Sequence, residues 1–389
     1  MKIAIFTNIL NPYRYTFFNR CSQFACEQGD EFRVYAMTDT KSDRTWKYDD
    51  FKTEYTRLLK SRTIHIRGIA YLHFNSGLKK ELKEYMPDVV VMAGSYLQPT
   101  VIELTRLQKK YHYKMFFWSE SHFKEQRNYR KFVLKIREKI RKRVLSRMDG
   151  FWYPGERAKE FVDYYRREDA VLVQVPNTVE NDFWGERIEI PEQENVKKAF
   201  GVTQNQKIIF SPARLSREKG ILEFCDVLTG IEKDRYCWLI AGDGDLKEQI
   251  AKKIKELNLN VTLLGNKNPE EIRRLYHQAD LFLLPSISDP NPLTCIEALW
   301  CGLPLFLSEH VGNVNEVVKT GMNGFEFSYS RLEEAAELFG EALEKDSAWY
   351  QAAGRYSLLL ACEKFDQDKI ARRTLSALKA AVMNDSGGL

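Results

Sequence analysis

The chain has 389 residues, 44% hydrophobic and 29% charged, which is the composition of a folded globular protein and excludes a collagen-like, disordered or disulfide-scaffolded one. At roughly 100–200 residues per domain this length allows two or three units, each able to bury its own core without a metal or a disulfide. A net charge of +5 is too small to call for nucleic acid, and seven cysteines with no Cys-x-x-Cys pair argue against a structural zinc site or a secreted disulfide framework.

Residues Met1 to Thr7 form an apolar run too short for the hydrophobic region of a signal peptide and shaped like a first buried strand. No run approaches the ~18 apolar residues of a membrane-spanning helix, so the chain reads as cytoplasmic. Strands are predicted at Ile3–Phe6, Phe32–Met37, Val89–Met92, Met115–Trp118, Phe151–Tyr153 and Val171–Val175, separated by segments of helical length. Continuous rather than alternating apolar runs indicate a parallel sheet covered on both faces.

Residues 124–147 carry a dense basic run in which only Glu125 and Glu138 oppose the lysines and arginines. Phe132, Val133, Ile136, Ile140, Val144 and Leu145 fall near helical spacing within it. One reading is a packed helix with a solvated cationic face; the other is attraction of this segment to anionic lipid headgroups, which would place the protein at the inner face of the plasma membrane.

The pattern breaks over residues 176–195, a polar stretch with Pro176, Gly185 and Pro191 that is read as a linker with one short helix. Strands then resume at Ile208–Phe210, Cys237–Ala241, Val261–Leu264, Leu281–Leu284 and Leu305–Leu307. The expected architecture is α/β, with two doubly wound Rossmann-like domains, residues 1–178 and 179–365, whose parallel sheets face across a ligand-binding cleft. A last helical segment, residues 366–384, is placed to cross back to the first domain.

Three constellations in the second half carry chemistry. The first is the run from Ile208 to Gly220, a strand leading through Arg214 and Lys219 into a helix; two cations beside a helix amino terminus suit a diphosphate, with a solvated loop as the alternative. The second is Gly242-Asp243-Gly244-Asp245 after the strand Cys237–Ala241, where glycines let backbone approach a ligand or simply make a tight turn. Helix capping explains the aspartates as well as a metal does, so no metal is assigned.

The third is Pro285 to Pro304, a proline-rich turn and then a helix starting at Pro292 and ending at Gly302. Glu297 lies among Ile296, Ala298 and Leu299, so its carboxylate is read as at least partly buried and in need of a partner, either backbone or a ligand hydroxyl. Asp289 precedes the same helix and is otherwise a turn residue.

These motifs, with Pro176-Asn177-Thr178-Val179 before them, resemble those of the retaining glycosyltransferases of family 4 over residues 176–325. The resemblance implies the GT-B fold and a nucleoside diphosphate sugar, UDP- or GDP-linked, as co-substrate without a further cofactor. It implies that Arg214 and Lys219 bind the donor diphosphate and stabilise it as leaving group, that Glu297 holds the ribose, that Asp289 faces the donor sugar, and that Pro292, Leu293 and Thr294 belong to the donor-binding set. Gly242, Gly244, Gly265 and Asn266 would border the base, with Gly312 and Asn313 near the phosphate and Glu316 a surface residue. In the first domain it implies a reacting-sugar role for His122, with a loop or cap histidine as the alternative, and an acceptor side at Asn11, Arg14 and Glu120. The chain departs from the family in having Asp289 where a glutamate is usual, Pro290-Asn291-Pro292 where small glycine-rich sequence is usual, and no glycine in Asn8–Arg14.

The activity expected is transfer of a sugar, with retention, to a hydroxyl of a glycan or lipid-linked acceptor in bacterial surface polysaccharide assembly. A nucleotide-sugar isomerase and a non-catalytic nucleotide-sugar-binding partner are the alternatives on the same fold.

Overall fold

The computed structural model describes residues 1–39, 47–66, 70–123 and 131–386; residues 124–130 of the basic segment lie outside the described residues. In the first half the strands are β1 (Lys2–Thr7), β2 (Glu31–Ala36), β3 (Thr56–Leu58), β4 (Lys60–Ile66), β5 (Ala70–Ser76), β6 (Val89–Ala93), β7 (Lys114–Trp118), β8 (Gly150–Tyr153) and β9 (Val171–Gln174). Seven of them form one parallel sheet in the order β3-β2-β1-β6-β7-β8-β9, and β4 and β5 pair separately as an antiparallel hairpin. In the second half β10 (Lys207–Pro212), β11 (Tyr236–Ala241), β12 (Val261–Gly265), β13 (Leu281–Leu284), β14 (Leu305–Ser308) and β15 (Gly324–Phe327) form a parallel sheet in the order β12-β11-β10-β13-β14-β15.

Each sheet is apolar on both faces because its strands alternate between two cores. Ile3 and Ile5 of β1 pack with Phe17, Phe18 and Phe24 of the helix Pro12–Glu27, while Ala4 and Phe6 pack on the other side with Tyr35, Leu104 and Phe117. In β10, Ile209 joins Phe224, Trp238 and Phe306 on one face, and Ile208 and Phe210 join Tyr276, Leu284 and Leu299 on the other. A strand covered by helices on both faces must be apolar at every position, which is why these runs stand out in the sequence.

The strands that were not predicted lack that signature. Arg57 and Leu58 of the three-residue edge strand β3 are exposed, every residue of β4 is exposed, and β15 alternates, with Glu326 pointing to solvent between Phe325 and Phe327.

The chain divides into two compact units. The first takes Met1–Phe123, the chain as far as Thr178, and the helix from Gln367 onwards; the second takes Val179–Asp366. From Val179 on, the stretch read as a linker belongs to the second unit rather than forming a tether. It forms a helix at Asn181–Gly185 and a 3₁₀ turn at Glu192–Glu194, and Val179 and Trp184 are buried in the core around Tyr276, as is Val196 just beyond it. These apolar residues anchor a polar segment.

The helix Gln367–Ser386 lies along the helix Pro12–Glu27, with Ile370, Ala371, Leu375 and Leu378 buried in the core of the first unit. Gln367 Nε2 donates to Thr16 Oγ1 and Thr178 Oγ1 at 3.1 and 3.2 Å, and the Arg372 guanidinium lies 3.6 Å from the centre of the Phe24 ring. Leu378→Ala removes a side chain with no solvent exposure. It is expected to destabilise the first unit by about 2–5 kcal/mol, measured by denaturant unfolding, while leaving the second unit's transition in place.

Candidate functional site

In the second unit the loops that follow β10, β11, β13 and β14 gather at the carboxyl end of the sheet. After β10 the chain makes a single 3₁₀ turn, Arg217–Lys219, and passes through Gly220 into the helix Ile221–Val227. Gly220 has φ +64°, and a Cβ there would stand 1.9 Å from the carbonyl oxygen of Pro285, so only glycine lets the two loops meet. The Tyr329 hydroxyl closes the junction, donating to the carbonyls of Gly220 (3.1 Å) and Pro285 (2.5 Å).

Lys219 thereby reaches across to the next loop, and its Nζ lies 2.5 Å from Asp289 Oδ2 with both side chains largely shielded from solvent. Arg214, by contrast, is exposed and paired with Glu218 at 3.1 Å. Such an exposed pair contributes about 0–1 kcal/mol, so an incoming anion displaces it at little cost.

The proline-rich turn is built against its neighbours. Ile287 N and Ser288 N donate to the Glu218 carbonyl, Gly312 N donates to the Asp289 carbonyl at 2.8 Å, and Asn313 Nδ2 donates to Asn291 Oδ1 and the Pro292 carbonyl, both at 3.1 Å. Gly312 is needed because a Cβ would fall 1.7 Å from the Pro290 carbonyl oxygen. Pro292 stands at the cap position, one residue before the helix Leu293–Trp300, rather than in its first turn. It has no side chain able to cap, so the first amides of this helix are not covered by a capping side chain. Thr294 Oγ1, in that first turn, is buried and has no protein partner among the described residues.

Glu297 is half-buried one turn further on, and its Oε2 accepts from the Tyr276 hydroxyl at 3.0 Å. Burial raises its carboxyl to about 7, with the Tyr276 hydrogen bond acting in the opposite direction. Tyr276 ends the helix Pro269–Tyr276, also donates to the Thr294 carbonyl at 3.0 Å, and is wedged edge-on against Phe210 and Trp184. Sequence reasoning missed it. The available signal was a tyrosine on a core-facing helix position, since a buried phenol needs an acceptor and Glu297 is a buried carboxylate in need of a donor.

Gly242 and Gly244 stand where two loops meet: added Cβ atoms would lie 2.1 Å from the Ala213 carbonyl oxygen and 2.5 Å from that of Leu215. Two other expectations change. Asp243 is not a helix cap; it accepts from Gly244 N and pairs with Lys247, and the helix Lys247–Glu256 is preceded by Leu246. Glu316 is buried in the short helix Val314–Val317 rather than displayed on the surface. Gly265, with φ +69°, ends β12 and the exposed Asn266 follows it; the Gly265 carbonyl accepts from Gly242 N at 2.8 Å.

The first unit has its own polar cluster at the carboxyl ends of β1 and β7. Asn11 caps the helix Pro12–Glu27, its Oδ1 accepting from Arg14 N at 3.0 Å. The Arg14 guanidinium lies 4.8 Å from the Trp118 ring centre and donates to Thr7 Oγ1 (3.1 Å) and Glu120 Oε1 (3.3 Å). Burial alone would lower the pKa of this guanidinium, but Tyr13 and Glu120 beside it raise it. His122 is buried just beyond. Asn11, Arg14 and Glu120 thus stand together, with Asn11 committed to the helix start.

Residues 192–356 match the family model of the glycosyl transferases group 1. That match lies wholly within the second unit. The chain is 34% identical over 146 residues to the amylovoran biosynthesis glycosyltransferase AmsK of Erwinia amylovora, 35% of each chain. It is also 34% identical over 172 residues to the alpha-monoglucosyldiacylglycerol synthase of Streptococcus pneumoniae, 41% of this chain and 37% of that one. The matched region spans half or less of the length of the curated relatives. Among solved structures, Anabaena HepE in complex with UDP and glucose superposes with a TM-score of 0.71 at 16% identity, over 98% of this chain and 100% of that one. The fold is therefore that of the GT-B glycosyltransferases, two parallel-sheet Rossmann-like units.

A carboxyl whose pKa rises on folding weakens the fold when it ionises. The cost is absent below the unfolded value of about 4.5 and grows as pH climbs through about 7. Glu297→Gln keeps an acceptor for Tyr276 and removes that charge. The variant is expected to melt several degrees higher than the parent at pH 8 and to lose this advantage near pH 4.5, read by thermal denaturation across pH.

Proposed function

We propose that the protein is a retaining, family 4 type glycosyltransferase that moves a sugar from a nucleoside diphosphate donor to a hydroxyl of a glycan or lipid-linked acceptor, in bacterial surface polysaccharide or glycolipid assembly. The observation that carries this reading is the meeting of Lys219, Asp289 and the uncapped start of the helix Leu293–Trp300 at the carboxyl end of one sheet, with Glu297 one turn along. That sets a lysine and free helix amides beside a hydroxyl-accepting carboxylate. Relatives named for amylovoran biosynthesis and monoglucosyldiacylglycerol synthesis, and a fold neighbour solved with UDP and glucose, support the donor and acceptor classes.

In this reading the bond between the sugar's anomeric carbon and the diphosphate oxygen breaks, and its electron pair leaves with the diphosphate. Lys219, Arg214 and the helix amides stabilise the growing negative charge more in the transition state than before it. The acceptor oxygen bonds to the anomeric carbon on the face just vacated, and its proton passes to the departing phosphate. Side chains and backbone amides supply the positive charge this step needs, which is the support for a reaction without a metal. Asp289, held by Lys219, turns toward the donor sugar once the diphosphate takes its place, and Glu297 accepts from the ribose. His122, with Arg14 and Glu120, belongs to the acceptor side. No helix among the described residues is long and apolar enough to cross a membrane, and we place the enzyme at the cytoplasmic side, meeting its acceptor at the membrane surface.

UDP- and GDP-sugars offered with lipid-linked or glycan acceptors are expected to give free nucleoside diphosphate and a glycoside of the donor's anomeric configuration, read by NMR. A donor altered without acceptor would indicate an isomerase, and saturable binding without turnover a binding partner. Lys219→Ala is expected to weaken donor binding at least about tenfold and to lower turnover by about 10²–10³-fold, measured by calorimetry and steady-state kinetics. His122→Ala is expected to lower kcat more than donor affinity; unchanged kcat would remove it from the mechanism.

A further inference from the structure

The β4–β5 hairpin of the first unit is held by side chains at the loops that follow two strands of the sheet. Asn75 Nδ2 donates to the carbonyl of Met37, just past β2, at 2.7 Å. Gln98, in the loop after β6, accepts from His73 N on its Oε1 and donates through its Nε2 to the Tyr71 carbonyl, both at 2.9 Å. Thr100, at the start of the helix Pro99–Tyr111, adds a bond from its Oγ1 to Asn75 Oδ1 at 2.7 Å. The hairpin therefore lies at the carboxyl end of the first sheet, the end at which open α/β sheets take up ligands.

Between the hairpin and that helix an open cavity of about 410 Å³ remains, within the size range of small-molecule sites. Lys60, Arg62, Phe74 and Ser76 line it from the hairpin, Thr100 and Glu103 from the helix. The register sets Lys60 opposite Ser76 and Arg62 opposite Phe74, so these four side chains share one face of the hairpin. Phe74 is 45% exposed there. Although opposite charges line the same cavity, Lys60, Arg62 and Glu103 make no ion pair and no side-chain hydrogen bond among the described residues.

Two free cations, a free carboxylate and an exposed ring describe a ligand by its chemistry. Phe74 offers a flat apolar surface to the C–H face of a sugar ring. The guanidinium of Arg62 and the ammonium of Lys60 suit a carboxylate or a phosphate, and the Glu103 carboxylate accepts from hydroxyls. A bare anion would meet the cations but leave Glu103 opposed and Phe74 uncovered, and a neutral sugar would leave both cations without a partner. A hydroxyl-rich ring bearing one acidic group uses all four side chains. We propose that this cavity binds an acidic sugar residue of the acceptor glycan, one that carries a carboxylate or a phosphate. The proposal rests on the reading that the acceptor is a glycan and names the kind of sugar it contains.

Saturation-transfer NMR on the full chain with glucuronate, glucose 6-phosphate and glucose, and with inorganic phosphate as competitor, tests it. At least one of the two acidic sugars is expected to bind about tenfold more tightly than glucose, and the tighter of them names the acidic group. Lys60→Gln/Arg62→Gln is expected to weaken that sugar about tenfold, and Phe74→Ala about threefold or more, with the melting temperature unchanged. The charge-matched control Lys79→Ala/Lys80→Ala, exposed and outside the cavity, is expected to leave binding as it is. No binding, glucose binding as tightly as the acidic sugars, inorganic phosphate displacing them at equal concentration, or binding untouched by the cavity variants would overturn the proposal. So would displacement by a saturating nucleotide sugar, which would put the acidic sugar in the donor site. Stabilisation of the fold by nucleotide sugars is read separately and is expected to survive the cavity variants. Its absence beside intact acidic-sugar binding would count against the transferase reading alone, and transfer to a neutral glycan without acidic-sugar binding would count against the cavity alone.

Discussion

The loops at the carboxyl end of the second sheet are bonded to one another, and the candidate site depends on those bonds. Lys219 reaches Asp289, the Glu218 carbonyl takes the amides of Ile287 and Ser288, and the Asp289 carbonyl takes the amide of Gly312. Tyr329 fastens Gly220 to Pro285 from beneath. Loops of this kind otherwise carry the cost of ordering several polar side chains separately. Here each loop's backbone satisfies the next, so the cation, the carboxylate and the open helix start are held in place before any ligand arrives, which is the condition for electrostatic stabilisation of a leaving diphosphate.

This network also gives the glycines their meaning. Gly220, Gly242, Gly244 and Gly312 each face a carbonyl oxygen of a neighbouring loop within 2.5 Å of where a Cβ would sit. They let the loops touch. From sequence, a Gly-x-Gly after a strand looks like a ligand cradle, and nothing local shows the contact with residues some thirty positions away that the structure adds. Likewise Pro290 and Pro292, which seem to strip donors from the sugar loop, contribute through their carbonyls: one packs against Gly312 and the other accepts from Asn313.

The paired sheets were legible because strands buried on both faces are apolar at every position, as Ile3 to Phe6 and Leu281 to Leu284 are. The hairpin at residues 60–76 was not, because its exposed strands, such as Lys60–Ile66, carry the polar mixture of a loop. The stretch read as a linker fails for the converse reason: Val179 and Trp184 are too sparse to show a period, yet each finds the core. Among the candidate residues, the sequence places Arg214, Lys219 and Asp289 on loops after strands and Glu297 on the helix that follows, and the structure has them there. Tyr276 and Tyr329 were not legible, since a hydroxyl's partner is set by tertiary structure alone.

The proposed donor site draws on four separate loops of the second unit, so a bound nucleotide sugar covers all four at once. Hydrogen–deuterium exchange read by mass spectrometry, with and without a saturating UDP- or GDP-sugar, reads this out. The ligand is expected to slow exchange together in peptides covering residues 213–220, 242–246, 286–297 and 310–316. Protection confined to one of these segments, or found elsewhere while these exchange as before, would contradict it.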